Sequence, residues 1–151
     1  MSRIASHGFV AIAAVSMVGD DDDVLSANLD WLLAENARPG SMLFGKLDAT
    51  KVAAGGHSIG AVNAFLFADD PRLTTTLHVE KLEADYAAAT APVFLTRITG
   101  ADHVSATRDG LPMIVAWLRW QLGGETERGA MFLDAAGEFR NAPYVSESKN
   151  W

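Results

Sequence analysis

Lys51-Val52-Ala53-Ala54-Gly55-Gly56-His57-Ser58-Ile59-Gly60 is the stretch on which the reading of the whole chain turns. Residues Lys51 to Gly56 are mostly apolar, as a short buried strand is, and Ile59 to Ala68 then reads as a helix ending ahead of Asp70-Pro71. The order is strand, tight turn, helix, with Ser58 at the turn. A serine hydroxyl is a poor nucleophile until a base takes its proton, and it must project clear of the backbone to reach a reacting carbon. A sharp strand-to-helix turn supplies that projection. It also brings the helix close to the strand, so small residues are expected two positions to either side of the serine, where Gly56 and Gly60 stand. The N–H of Ile59, at the helix start, is then placed to stabilise an oxyanion. The plainer alternative is a glycine-rich turn carrying a surface serine.

Upstream, Gly8-Phe9-Val10-Ala11-Ile12-Ala13-Ala14-Val15 is continuously apolar and predicts a parallel strand buried on both faces. Four aspartates, Asp20 to Asp23, precede Val24, Leu25, Leu29, Leu32 and Leu33 at helical spacing, with Pro39-Gly40 as the stop. Such an acidic start suits the helix dipole and capping without any metal. Downstream, Thr74 to Val79 predicts a third strand, Lys81 to Ala89 a helix, and Pro92 to Ile98 a fourth strand that turns at Thr99-Gly100-Ala101-Asp102-His103. A last helix opens near Pro112, carries Ile114, Trp117, Leu118 and Leu122 on one side, and stops at Gly123-Gly124. Strands alternating with helices predict an α/β domain with a mostly parallel sheet flanked by helices. Residues 1–124 form its expected core and residues 125–151 a C-terminal extension packing on or near it.

The composition narrows the chemistry. At 151 residues, half of them apolar, the chain suits one globular domain. Its formal net charge of −7 comes from scattered carboxylates with no basic block, which argues against nucleic acid or anionic lipid and for a neutral substrate. It has no cysteine, so thiol catalysis and thiolate metal sites drop out. No window approaches the roughly 20 apolar residues of a membrane helix, and no export signal opens the chain, so the expectation is a cytoplasmic protein, with a truncated start as the alternative.

A serine nucleophile needs a base on the same rim, after a strand and late in the chain. His103 is the histidine in that position. His57 adjoins the serine, His78 lies within a strand, and His7 precedes the first one; these read as packing or surface residues. A structural role for His103 itself is the competing reading.

Taken together, Ala5-Ser6-His7-Gly8-Phe9-Val10, Leu29-Asp30-Trp31-Leu32, Gly45-Lys46-Leu47-Asp48, Gly56-His57-Ser58-Ile59-Gly60 and Gly100-Ala101-Asp102-His103 resemble the serial landmarks of α/β-hydrolases. The resemblance is greatest to the dienelactone hydrolase, chlorophyllase and cutinase-like polyester hydrolase group. It covers most of residues 4 to 123, and Met131-Phe132 and Lys149-Asn150-Trp151 also look like that group. It implies a shortened α/β-hydrolase core that hydrolyses neutral short- or medium-chain acyl esters through an acyl-enzyme on Ser58, with His103 as base and no cofactor or metal. A non-catalytic remnant or assembly module of the same fold, and an acyltransferase using the same serine, are the alternatives.

Two departures from the family pattern stand out. The strand whose loop donates the second oxyanion N–H has no counterpart in the sequence as given, and the Gly-x-x-Asp turn that carries the triad acid is absent between Thr74 and Pro92. The acid candidates are Glu80, Glu83, Asp85 and Asp102. Glu80, at the carboxyl end of the third strand, comes first and Asp85 second. Asp102 adjoins the base too closely to reach the far nitrogen of its ring. Trp31, Phe65, Phe67, Phe94 and Trp117 are candidates to line an acyl pocket, though aromatic residues at such spacings are more often plain core. With the intervening strand missing, the strand after Gly8 and the strand before Ser58 would each show a bare apolar edge, which predicts a symmetric homodimer.

Overall fold

A computed structural model describes residues 2–13, 22–79 and 83–151. The chain divides into two compact units, Met1–Val79 and Glu80–Trp151. Helix and strand are mixed in both, one strand pair is parallel and the other antiparallel, so a coarse α/β description holds. The mostly parallel sheet expected from the sequence is replaced, among the described residues, by these two separate pairs.

In the first unit a single helical turn, α1 (Ser2–Ala5), precedes a segment that departs from expectation. Residues 9–13 have no strand pairing, and Val10 and Ile12 are 48 % and 39 % exposed. Ala14 and Val15 lie outside the described residues. An apolar run has strand propensity, but a strand exists only where a neighbour accepts its backbone hydrogen bonds. The edge this segment was expected to offer a second copy is therefore not a strand edge in residues 9–13.

Helix α2 (Asp22–Ala37) follows, and the side chains of the Asp20 to Asp23 run lie outside the described residues. Its Leu29 is buried, with Leu25 and Leu33 beside it, in a core with Ala54, Phe67, Val52 and Leu73. Where α2 ends, the Asn36 side-chain amide donates to Leu47 O (3.0 Å) and its Oδ1 accepts from Leu47 N (2.9 Å), closing the loop that leads to the next strand. Strand β1 (Ala53–His57), helix α3 (Ile59–Leu66) and strand β2 (Thr75–Val79) then form a compact strand–helix–strand. β1 and β2 are parallel, from Ala53 opposite Thr75 to His57 opposite Val79. Ala61 and Ala64 of α3 are fully buried, and their small side chains let the helix lie close on the strands. Arg72 ties the segment before β2 back to α2, donating to Asp70, to Asp30 Oδ1 (2.5 Å) and to Ser26 Oγ (3.1 Å).

The second unit contains α4 (Glu83–Ala88), β3 (Val93–Ile98), α5 (Ser105–Asp109), α6 (Leu111–Gln121), α7 (Gly129–Leu133) and β4 (Tyr144–Lys149). β3 pairs antiparallel with β4, from Val93 opposite Lys149 to Ile98 opposite Tyr144. The residues after 124 thus supply a strand and a helix to the same unit as β3. Its core is aromatic. Phe132 and Phe139 are 0 % and 1 % exposed, and Phe94, Trp117, Trp120 and Tyr144 pack against them. Three successive residues fasten the end of the chain: Lys149 Nζ donates to Ala87 O, Asn150 Nδ2 to Ala89 O and Ala91 O, and Trp151 Nε1 to Val93 O. The Trp151 ring also stacks on Trp120, 5.0 Å between centroids. Glu125 receives both Arg119 and Arg128, joining the end of α6 to the segment that opens α7. No helix among the described residues is long and apolar enough to cross a membrane.

Candidate active site

Ser58 stands between β1 and α3 with φ 56° and ψ −121°. Among the described residues it is one of two non-glycine positions with positive φ, the other being Asn150. A residue with a Cβ resists this conformation, at a cost on the order of 1–3 kcal/mol, and it persists only when the surroundings dictate it. Here they do. The Ser58 N–H donates to Val79 O (3.2 Å) at the end of β2, while its C=O accepts from Ala61 N (2.9 Å) and Val62 N (3.3 Å) in the first turn of α3. The residue is held by a strand on one side and a helix on the other.

The flanking glycines differ in kind. A Cβ placed on Gly56 would lie 2.0 Å from Gly60 O and 2.8 Å from Ala61 N, so the backbone of α3 occupies the space a side chain would need. A Cβ on Gly60 would meet nothing within 4 Å. The expectation of small residues on both sides therefore has a steric basis at Gly56 alone. Ile59 opens α3, where the first-turn N–H groups have no carbonyl partner within the helix, and its side chain is 47 % exposed.

His78 is a packing residue, as the sequence suggests. Its Nδ1 lies 3.1 Å from Ala61 O, its Nε2 2.8 Å from Thr76 Oγ1, and its ring meets Phe65 edge-on. His103 belongs to the second unit, exposed in the turn between β3 and α5. The turn is anchored where it leaves β3, by Thr99 N donating to Pro143 O (2.8 Å) and Ala101 N to Ile98 O (3.1 Å), with Gly100 at φ 82° between them. That left-handed angle is one glycine adopts without a Cβ clash.

Of the four carboxylates considered for the acid, Glu80 lies outside the described residues. Glu83 and Asp85 lie in α4, and their side chains are likewise outside them. Asp102 is described in full. Its Oδ1 accepts from Val104 N (3.0 Å) and Ser105 N (2.7 Å), and its own N–H donates to Ser105 Oγ (2.9 Å). The Ser105 N–H first, and then the Ser105 side chain, hold the Asp102 carboxyl below its ordinary range. Ser105 lies outside the residues the sequence nominates for the site, although Asp-x-x-Ser ahead of a helix is a capping pattern.

The aromatic candidates sort by unit. Phe67 belongs to the first core, Phe94 and Trp117 to the second, and Trp31 and Phe65 are about half exposed. Ser58 and Ile59 are thus placed by the first unit and Asp102 and His103 by the second. No protein-family model matches the chain, and no curated protein matches it.

Proposed function

We propose that the chain is a serine carboxylesterase built on a shortened α/β-hydrolase core and acting on neutral short- or medium-chain acyl esters. The observation that supports this best is the backbone of Ser58. A serine held at positive φ between a parallel strand and the helix that follows it, with helix backbone where a side chain of Gly56 would go, is what a projecting nucleophile requires. Strain of this kind concentrates at functional sites.

In the proposed reaction, Ser58 Oγ bonds to the acyl carbon as His103 takes its proton. The Ile59 N–H stabilises the oxyanion of the tetrahedral intermediate, and the alkoxide leaves with the proton from His103. Water then repeats the sequence on the acyl-enzyme and releases the acid. Glu80 is proposed to orient the imidazolium, with Asp85 as the alternative. The chemistry calls for no cofactor or metal.

A chromogenic short-chain ester and a serine-reactive organophosphonate test the proposal on the same sample. Turnover and labelling at Ser58 are expected, and Ser58→Ala should lower kcat by about 10⁴-fold or more while the fold survives. A variant as active as the parent would remove Ser58 from the chemistry. A parent chain that is inert to both reagents would favour a non-catalytic module.

A further inference from the structure

We propose that Asp102 and Ser105 form a reciprocal capping box whose work is to hold His103, so that Asp102 is a positioning residue and not the acid of a triad. The inference rests on the reading of His103 as general base.

Helical hydrogen bonding in this segment begins one residue ahead of His103, where Asp102 O accepts from Ala106 N (2.9 Å). Asp102 therefore caps the turn of His103 and Val104 that leads into α5, and His103 is the first residue of that turn. The carboxylate accepts the N–H groups of the second and third positions, Val104 and Ser105, and the Ser105 hydroxyl accepts the N–H of Asp102 in return. This is the two-way closure of a capping box, with serine where glutamate or glutamine is usual. On the other flank, Thr99 and Ala101 tie the turn to Pro143, just ahead of β4, and to the end of β3. His103 is thus gripped from both sides in sequence.

The grip matters because α5 is only five residues long. A helix so short has little stability of its own and frays without a cap. Fraying would move the backbone that carries the imidazole, and a general base misplaced by about 1 Å loses about 100-fold in rate. The same oxygen of Asp102 that accepts the two backbone donors is committed to the cap.

Three variants of the full chain separate the roles: Asp102→Ala, Asp102→Asn and Ser105→Ala. Each is assayed for ester turnover, for the rate of phosphonate labelling at Ser58, and for amide hydrogen exchange at Val104 and Ser105. Asparagine caps as well as aspartate but carries no charge, so Asp102→Asn should stay within about two-fold of the parent in all three. Asp102→Ala should lower kcat about ten- to a hundred-fold with KM unchanged, slow the labelling equally, and accelerate exchange at both amides. Ser105→Ala removes one bond of the box and should fall between. Loss in Asp102→Asn equal to that in Asp102→Ala would overturn the proposal, because charge would then be the requirement. So would full activity in Asp102→Ala. A parent chain that neither turns over ester nor labels sinks the hydrolase reading itself, and with it any catalytic purpose for the box, even where exchange shows that the cap is real.

Discussion

The two strand pairs of this protein are held by opposite means. β1 and β2 are parallel and joined through α3 within residues 53–79, and the faces that meet are made of almost nothing: Ala54 and Gly56 on one face of β1, Ala61 and Ala64 on the helix. β3 and β4 are antiparallel, with partners such as Thr96 and Ser146 fifty residues apart, and they are covered by rings. Small residues bury little apolar area but let backbones come into contact, whereas large rings bury much and set their neighbours apart. The first pair therefore buys geometry, most visibly the turn at Ser58, and the second supplies stability.

That contrast predicts unequal losses when the two cores are emptied. Phe132 lies within 5.4 Å, centroid to centroid, of Phe94, Trp117, Trp120 and Phe139. Phe132→Ala should cost about 3–5 kcal/mol, read as a shift of the urea midpoint followed by tryptophan fluorescence. Leu29→Ala, in the less completely buried core of the first unit, is expected at the low end of the range for such truncations, about 2 kcal/mol. Equal losses would erase the distinction.

The geometric half of the comparison is probed at the glycines. Gly56→Ala forces a methyl into the backbone of α3 and should destabilise by roughly 3 kcal/mol, with any activity of Ser58 lost as the turn is pushed open. Gly60→Ala meets open space inside a helix and should be neutral or favourable by up to about 1 kcal/mol. Thermal melts of the two variants side by side decide the matter, and a neutral Gly56→Ala would mean that the close approach at the turn is not required.

The smallest effect concerns the polar tie of the first unit. Hydrogen bonds from Arg72 hold the Asp70 carboxyl at about 2, below its ordinary value of 3.8. A carboxylate depressed on folding adds stability that is complete above its unfolded value and lost as pH falls through its folded value. Asp70 should therefore contribute fully above about pH 4 and lose its contribution between about pH 4 and 2. Asp70→Asn should lower the melting temperature near neutrality by roughly 2–4 °C and converge with the parent at the acid end of that window. Parallel acid slopes in the two proteins would show that the tie contributes nothing.

How much of this was legible in the sequence follows from how local each feature is. The β1–Ser58–α3–β2 unit is contiguous, and its signals are chemical ones that neighbours a few residues away enforce: a short apolar run, glycine where a helix must approach, a proline past the helix end. The run from Gly8 to Val15 carried the same kind of signal and misled, since residues 9–13 find no strand beside them. Tyr144 to Lys149 carried almost none, alternating serine with glutamate and lysine, yet it is a strand because β3 offers it an edge and Arg140 and Thr96 engage its serines.

By itself, then, the sequence determined the strand, turn and helix around Ser58 and the turn that bears His103, because backbone propensity, glycine freedom and capping act over a handful of residues. Tertiary structure alone decided that the residues after 124 complete the sheet of β3, that Gly56 and not Gly60 is sterically compelled, and that the Phe9 to Ala13 run goes unpaired. Each of these depends on which distant backbone arrives alongside, and residues far apart in the chain leave no mark in sequence spacing to say so.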